Sequence, residues 1–308
     1  MAPGVNSPIQ DVSDTAFWIA YHRAVESARP DALFRDPFAA RLAGERGRRI
    51  SEAMPTSRIV AWMVALRTRI IDNYIAAALH AGIDTVLCLG AGLDARPYRL
   101  ALPPDLRWIE ADYPHVIDYK EDILRQETPA CRLERVRIDL ADVDARRRLL
   151  ERIDAASQGG VLVLTEGVIP YLSNDEAASL ADSLHSMHHA RLWIVDYLSA
   201  RAVKFRRRQH VRRAMQNAPF KFAPGDWFAF FRQHGWRVKE IRYYPVEGAL
   251  RGRPVPLPAS ARLVIAVSRL FVKERRLEGL RQFGGYAMLE PLDADGMSVR
   301  ESDARRPF

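Results

Sequence analysis

The chain predicts an α/β fold: a mainly parallel sheet of seven strands, preceded by an N-terminal helical elaboration. Two observations carry this. From residue 83 onward, short apolar runs alternate with segments of helical period, the pattern of right-handed crossovers that cover a parallel sheet on both faces. Before that point, residues 11–80 show helical period and no strand signal. With 308 residues and 48% hydrophobic composition, there is enough chain for one large domain with a substantial core.

Asp14-Thr15 can cap a first helix through Phe17, Ile19 and Ala24. Two prolines in Arg29-Pro-Asp-Ala-Leu-Phe-Arg-Asp-Pro37 break it, and a second helix follows from Phe38. Ser57 can cap a third helix ending at Gly82, with the stripe Ile59, Met63, Leu66, Ile70 and Tyr74 facing the sheet. Strands are expected at Thr85–Leu89, Arg107–Ala111, Val136–Ile138, Val161–Thr165 and Leu192–Asp196. Helices should follow the second, third and fourth of these, at Val116–Gln126, Val143–Ile153 and Asp175–His188. Past Asp196 the pattern loosens. Arg201–Lys221 precedes a helix at Asp226–His234, a strand at Trp236–Tyr243 and a Gly, Arg and Pro-rich loop over 248–260. A helical segment Ala261–Leu280 and a last strand Gly285–Leu289 complete the series. The organisation expected is a helical cap over 1–82, a core over 83–290 with a lid insertion at 199–224, and a disordered tail over 291–308.

The apolar run Thr85–Leu89 breaks into Gly90-Ala-Gly92, with an acid at Asp94. Two glycines after a buried strand make a turn where backbone approaches a ligand closely. The spacing from Gly90 to Ala95 also satisfies the loose dinucleotide pattern G-x-G-x-x-G/A. A carboxylate in that turn disfavours a pyrophosphate. It suits S-adenosylmethionine, which has no phosphate and carries a sulfonium and an ammonium. The turn therefore reads as the cofactor loop of a class I methyltransferase with a Rossmann-like core.

In an open parallel sheet ligands sit beyond the carboxyl ends of the strands, so the polar residues there matter most. Asp112 ends the second strand 20 residues after Gly92, where an acid can accept both ribose hydroxyls; the alternative is a helix-capping Asp before Pro114. Asp139-Leu140 ends the third, placing a carboxylate for an exocyclic amine and a leucine for a ring, or simply a strand-end turn. Glu166 follows a strand without polar alternation and needs a cationic partner, either the cofactor's ammonium or an arginine. Arg67 interrupts the apolar register of Val60, Val64, Ile71 and Ile75, which implies a carboxylate partner, the cofactor's or the protein's own.

Other chemistries are poorly represented. His80, His115, His185, His188, His189, His210 and His234 are dispersed without metal spacing, and there is no G-x-S-x-G elbow or Walker loop. Cys88 and Cys131 form neither a disulfide framework nor a metal site, as expected of a reducing cytosol. The N-terminus lacks a signal-peptide pattern, and Ile59 to Leu66 is too short to span a bilayer, which takes roughly 20 residues. A soluble, cytoplasmic protein is expected. The net charge of +8 raises nucleic acid as a partner, but the excess is scattered arginine. The acid-free run Arg201 to Arg213 reads as a solvated face, a mobile lid attracting an anionic substrate, or a nucleic-acid surface; with only Phe205 as aromatic, the last is the weakest.

Together these segments resemble the leucine carboxyl methyltransferase family, in particular its bacterial branch of small-molecule O-methyltransferases. The matching pieces are Ala65-Leu-Arg-Thr-Arg-Ile-Ile-Asp72, Leu89-Gly-Ala-Gly-Leu-Asp-Ala-Arg-Pro-Tyr-Arg-Leu100, Glu110-Ala-Asp-Tyr-Pro114 with Lys120, and Thr165-Glu-Gly-Val-Ile-Pro-Tyr-Leu172. Asp14-Thr-Ala16, Arg23-Ala24, Gly235-Trp236 and Arg251-Gly-Arg-Pro-Val-Pro256 also fit, so the resemblance runs over about residues 14–290. It implies that Arg67 binds the cofactor carboxylate, that Gly90 and Gly92 line the turn, and that Asp112 holds the ribose. It further implies that Asp139 and Leu140 frame adenine, that Glu166 meets the aminoacyl end, and that Arg23 is a second basic residue toward the carboxylate. No catalytic residue and no metal are implied. A carboxylate acceptor is ionised at neutral pH, with an ordinary pKa of roughly 4, and needs no general base; a phenol, at about 10, would want one. The expected function is O-methylation of a small, anionic molecule at a carboxylate. The alternatives are a phenol or alcohol acceptor, an RNA methyltransferase, or a cofactor-binding protein without catalysis.

Overall fold

The computed structural model describes residues 8–54, 57–206, 215–257, 279 and 281–292. Most of the basic run, nearly all of the expected helix over 261–280 and the tail beyond 292 lie outside the described residues. In chain order the described elements are α1 (Asp14–Ser27), α2 (Ala39–Ala53), α3 (Ser57–His80), β1 (Ile83–Leu89), α4 (Arg96–Arg99), β2 (Arg107–Asp112), α5 (Pro114–Ile123) and β3 (Arg132–Arg137). There follow α6 (Val143–Ala155), β4 (Gly160–Thr165), a 3-10 turn (Ile169–Tyr171), α7 (Asn174–His185), β5 (Ala190–Leu198), α8 (Ala200–Arg206), α9 (Trp227–Gln233), β6 (Trp236–Tyr243), α10 (Tyr244–Leu250) and β7 (Gly284–Pro291).

The strands form one seven-stranded sheet in the order β3-β2-β1-β4-β5-β7-β6. Strands β1 to β5 pair in parallel, and β7 runs antiparallel between β5 and β6. This is the class I methyltransferase arrangement. The strand order reverses between β1 and β4, so the crevice at that switch point opens beyond the carboxyl ends of β1, β2, β3 and β4.

Alternation along the central strands divides the core into two layers. Val161, Val163, Leu87 and Leu89 face α6 and α7, where they meet Leu150, Ile153, Leu180 and Leu184. Val86, Cys88, Leu162 and Leu164 point the other way, onto Leu66, Ile70 and Tyr74 of α3. All of the stripe read from the sequence except Ile59 thus packs on the sheet, and the Tyr74 hydroxyl donates to the Tyr286 carbonyl of β7 at 3.2 Å. Each fully buried Leu, Ile or Val contributes about 1.5–3 kcal/mol, an upper figure because unfolded chains already bury some surface. A third apolar cluster joins Phe17 and Trp18 of α1 with Leu42 and Ile50 of α2, and continues through Leu93, Val116, Met215 and Ala218. The N-terminal helices therefore cap the open end of the sheet where the crevice lies.

Several boundaries differ from expectation for physical reasons. Strand β3 begins at Arg132 rather than Val136, because this edge strand is charged and half-exposed and shows no apolar run. Helix α4 is one turn behind a proline at its second position, and α10 starts at a Tyr-Pro step; both are too short to show a period. The tail does not start at 291: Pro291 ends β7 and the Leu292 amide donates to the Gly235 carbonyl at 2.8 Å. Within the expected lid, α8 follows β5, and residues 215–222 return to the body. There Met215 and Ala218 are buried, and the Lys221 amide donates to the Pro170 carbonyl at 2.9 Å.

Candidate functional site

A cavity of about 400 Å³ lies at the switch point. Its floor is the glycine turn after β1, its sides are the ends of β2, β3 and β4, and its roof comes from α1 and residues 217–221. Every residue singled out from the sequence lines it: Arg23, Arg67, Gly90, Gly92, Asp112, Asp139, Leu140 and Glu166.

The turn is held by backbone and by one carboxylate. Gly90 and Gly92 have φ of 68° and 50°, a region that costs an L-residue about 1–2 kcal/mol. A side chain at Gly90 would also place its Cβ 2.5 Å from Val168 Cγ2, so this position is closed to anything larger than glycine unless the neighbour moves. The Gly90 amide donates to the Ala111 carbonyl of β2 at 2.8 Å. Asp112 completes the tie: its Oδ2 accepts from the Gly92 amide at 2.6 Å and its Oδ1 from the Tyr113 amide at 2.7 Å. Asp112 is not the helix cap that was the alternative; Tyr113 occupies the N-cap of α5, without a side-chain bond. Burial pushes the Asp112 carboxyl above its usual range, against the two backbone donors that favour the anion.

Asp139 is exposed at the end of β3, and its Oδ1 accepts from the Ala141 amide at 2.9 Å, the strand-end turn that was its plainer reading. Leu140 beside it is fixed from behind by Arg146, which donates to the Leu140 carbonyl at 2.7 Å and to Ser179 Oγ at 2.8 Å. The carboxylate of Asp139 and the side chain of Leu140 both remain on the cavity wall.

Glu166 and Arg67 lie side by side at the cavity. Arg67 Nε lies 2.7 Å from Glu166 Oε1, and Arg96 donates to Glu166 Oε2 at 2.6 Å. Burial raises the Glu166 carboxyl, but Arg96 and then Arg67 outweigh it and hold it below its ordinary range. Arg96, 1% exposed, also contacts Asp72 and Asp94, each at 2.7 Å, and Arg99 makes two further bonds to Asp72, both at 2.8 Å. Asp94 is therefore not an open charge in the turn: its carboxylate is compensated by Arg96. Acids still outnumber bases on the wall, with Asp94, Asp112, Asp139, Glu166 and Glu176 against Arg23, Arg67 and Lys221. That balance opposes a pyrophosphate and accommodates a cation. Arg23 is 4% exposed, with Nε 3.0 Å from Asp36 and a second bond to the Leu93 carbonyl at 2.5 Å.

Sequence reasoning missed the support behind the wall. Arg96, Asp72 and Arg99 sit in segments quoted for other reasons, and their pairing joins α3 to α4 across about 25 residues. Asp196, noted only as a strand end, accepts from the Gly167 amide at 3.0 Å and from the Tyr286 hydroxyl at 2.7 Å, so it fixes the backbone just after Glu166. A strand-end acid was the available signal for Asp196. Tyr286 had none, because it lies on β7 and its partner Asp196 is on β5, 90 residues away.

The family model of leucine carboxyl methyltransferase matches residues 16–185, more than half the chain. The chain belongs to the leucine carboxyl methyltransferase family. Among its relatives, an S-adenosyl-L-methionine-dependent methyltransferase of Parafrankia sp. (strain EAN1pec) is 32% identical over 279 residues, covering 83% of this chain and 86% of the relative. One from Frankia alni is 28% identical over 271 residues, with 83% and 94% covered. A solved structure, a DUF574 family protein from Streptomyces avermitilis, aligns over 90% of this chain and 97% of its own, with a TM-score of 0.56 at 14% identity. That likeness concerns the fold. As a leucine carboxyl methyltransferase family member the chain is an S-adenosylmethionine-dependent methyltransferase. The site fits that cofactor: hydrogen-bond acceptors at Asp112 and Asp139, a glycine turn with no room for a Cβ at Gly90, and opposite charges side by side at Glu166 and Arg67. No helix among the described residues is long and apolar enough to cross a membrane. Nor do they hold a group of His, Cys, Asp or Glu suited to a metal.

Proposed function

We propose that this methyltransferase acts on an oxygen of a small molecule, and specifically on a carboxylate. When bound, S-adenosylmethionine supplies an electrophilic methyl group on a sulfonium. Asp112 would hold the ribose hydroxyls, Asp139 and Leu140 the adenine, and Arg67, Glu166 and Arg23 the aminoacyl end. The residues then have to align a nucleophile and exclude water. Trp18, Ile19, Tyr171, Leu172, Ala218 and Pro219 supply an apolar wall for that purpose.

What supports the carboxylate reading is that the acids of the described cavity wall are already engaged: Asp112 and Asp139 by backbone amides of the two turns, Asp94 and Glu166 by Arg96, and Glu176 by the cap of α7. The described wall contains no histidine, and burial pushes the Cys88 thiol far above neutrality. An acceptor that is already an anion needs no proton removed. Lys221, half-exposed at the rim and 3.9 Å from Glu176, offers a cation to such an acceptor. A phenol or alcohol is the second reading, favoured by one feature: His115 Nε2 lies 2.9 Å from Ser13 Oγ, beside the cavity.

The test is an acceptor screen with isotopically labelled cofactor, followed by mild base. A carboxyl ester loses its labelled methyl as methanol, whereas an ether keeps it. A base-stable small-molecule product supports the second reading. Label confined to RNA overturns both.

A further inference from the structure

Glu166 is bound asymmetrically. Its Oε2 accepts a directed hydrogen bond from Arg96 at 2.6 Å, while its Oε1 stands 2.7 Å from Arg67 Nε, and neither atom of that second contact has a hydrogen-bond partner. The N–H of Arg67 is thus misdirected although the charges are close, and direction is much of what makes such a contact strong. Arg96 differs in its directed bonds to carboxylates, although its Nη2 has no partner. It is 1% exposed, does not line the cavity, and is locked by Asp72 and Asp94 at 2.7 Å each, with Asp72 itself clamped by Arg99. Arg67, by contrast, is on the cavity wall and shares only part of its fork with Glu166.

We propose that Arg96 is the residue that positions Glu166 and keeps it anionic, and that Arg67 is a temporary partner which exchanges Glu166 for the carboxylate of a bound amino-acid group. This rests on the reading that Arg67 and Glu166 hold the aminoacyl end. An incoming zwitterion brings one positive and one negative charge. Its ammonium takes the face of Oε1 that Arg67 contacts only by proximity, and its carboxylate takes the released guanidinium in a bidentate fork. Net charge is unchanged in the exchange, and each incoming charge meets an opposite one, which offsets its desolvation. The exchange works only if Glu166 has a second cation that stays, and Arg96 is the one group placed to be that cation among the described residues. It is a positioning residue, because it acts through Glu166.

Three adenosine ligands separate the roles by calorimetry, without turnover. S-adenosylhomocysteine carries both charges, S-adenosyl-3-thiopropylamine keeps the ammonium and lacks the carboxylate, and 5′-methylthioadenosine lacks both. Arg67→Met should weaken S-adenosylhomocysteine at least about tenfold, the scale of a lost hydrogen bond to a charged group. It should leave the thiopropylamine within about twofold of the wild type, because Arg96 still holds Glu166. Arg96→Lys should weaken both ammonium-bearing ligands at least about tenfold relative to methylthioadenosine, since a point charge cannot serve three carboxylates. Equal weakening of all three by Arg96→Lys would reduce Arg96 to a fold-stabilising role. If Arg96→Lys fails to fold, the Arg67→Met series decides alone, and loss of the thiopropylamine there overturns the proposal. Glu166→Gln isolates the underlying reading: no change in the ratio of thiopropylamine to methylthioadenosine affinity would remove Glu166 from the aminoacyl site, and this inference with it.

Discussion

Asp112→Ala is the perturbation whose size the structure sets most directly. The carboxylate satisfies two amides at once, Gly92 at 2.6 Å and Tyr113 at 2.7 Å, in a residue 9% exposed. Removing it orphans both donors. A buried unsatisfied amide costs about 1–3 kcal/mol, and relief of the carboxylate's own desolvation returns part, so a net loss of about 2–4 kcal/mol is expected in the ligand-free protein. At about 2–4 °C per kcal/mol for a large domain, the melting temperature should fall by about 4–16 °C. Asp112→Asn should fall almost as far, since its amide oxygen can serve only one of the two donors and its NH₂ group opposes the other. Melting curves with and without S-adenosylhomocysteine then report the binding part. At a hundredfold excess over its dissociation constant, a ligand stabilises the wild type by about 2.7 kcal/mol, and the variants should show little of that gain. An unchanged melting temperature in the ligand-free variants would refute the claim that this carboxylate ties the glycine turn to β2. Wild-type stabilisation by the ligand in Asp112→Ala would refute its role toward the ribose.

Three further outcomes follow from the geometry. Gly90→Ala should lower cofactor affinity and stability together, because its Cβ meets Val168 and its φ is 68°; adding Val168→Ala should restore part, leaving the backbone strain of about 1–2 kcal/mol. His22 is buried beside Trp18, and burial, then the charge of Arg67, lowers its pKa to about 4. Its depressed folded-state value means stability is intact above the unfolded value of about 6.5 and declines as the pH falls from there toward 4. The wild type should therefore lose about 3 kcal/mol more over that window than His22→Phe, measured by urea unfolding at each pH. Lys221→Ala should raise the KM for an anionic acceptor with little change in kcat, and salt should weaken the wild type more than the variant; equal salt responses would remove Lys221 from acceptor attraction.

The sequence was sufficient for the central strands, the order of the main helices around them, and the residues at the ends of β1 to β4 that line the cavity. Buried parallel strands such as Val161–Thr165 are apolar on both faces, and a glycine turn followed 20 residues later by an acid is local information with a fixed register. It also located Arg67, because a guanidinium inside an apolar stripe is anomalous wherever it occurs. What it could not determine was partnership. That Glu166 is shared between Arg67 and Arg96, that Asp72 clamps Arg96 from another helix, and that Tyr286 steadies Asp196 from across 90 residues depend on contacts between distant segments. The same holds for β3, whose charged residues disguise an edge strand, and for the antiparallel placement of β7, which follows from sheet pairing rather than from its own pattern. Periodicity and turn chemistry report how each segment meets solvent or core, whereas ion-pair choice depends on which oppositely charged groups the folded sheet brings within about 3 Å, in surroundings too dry for either to stand alone.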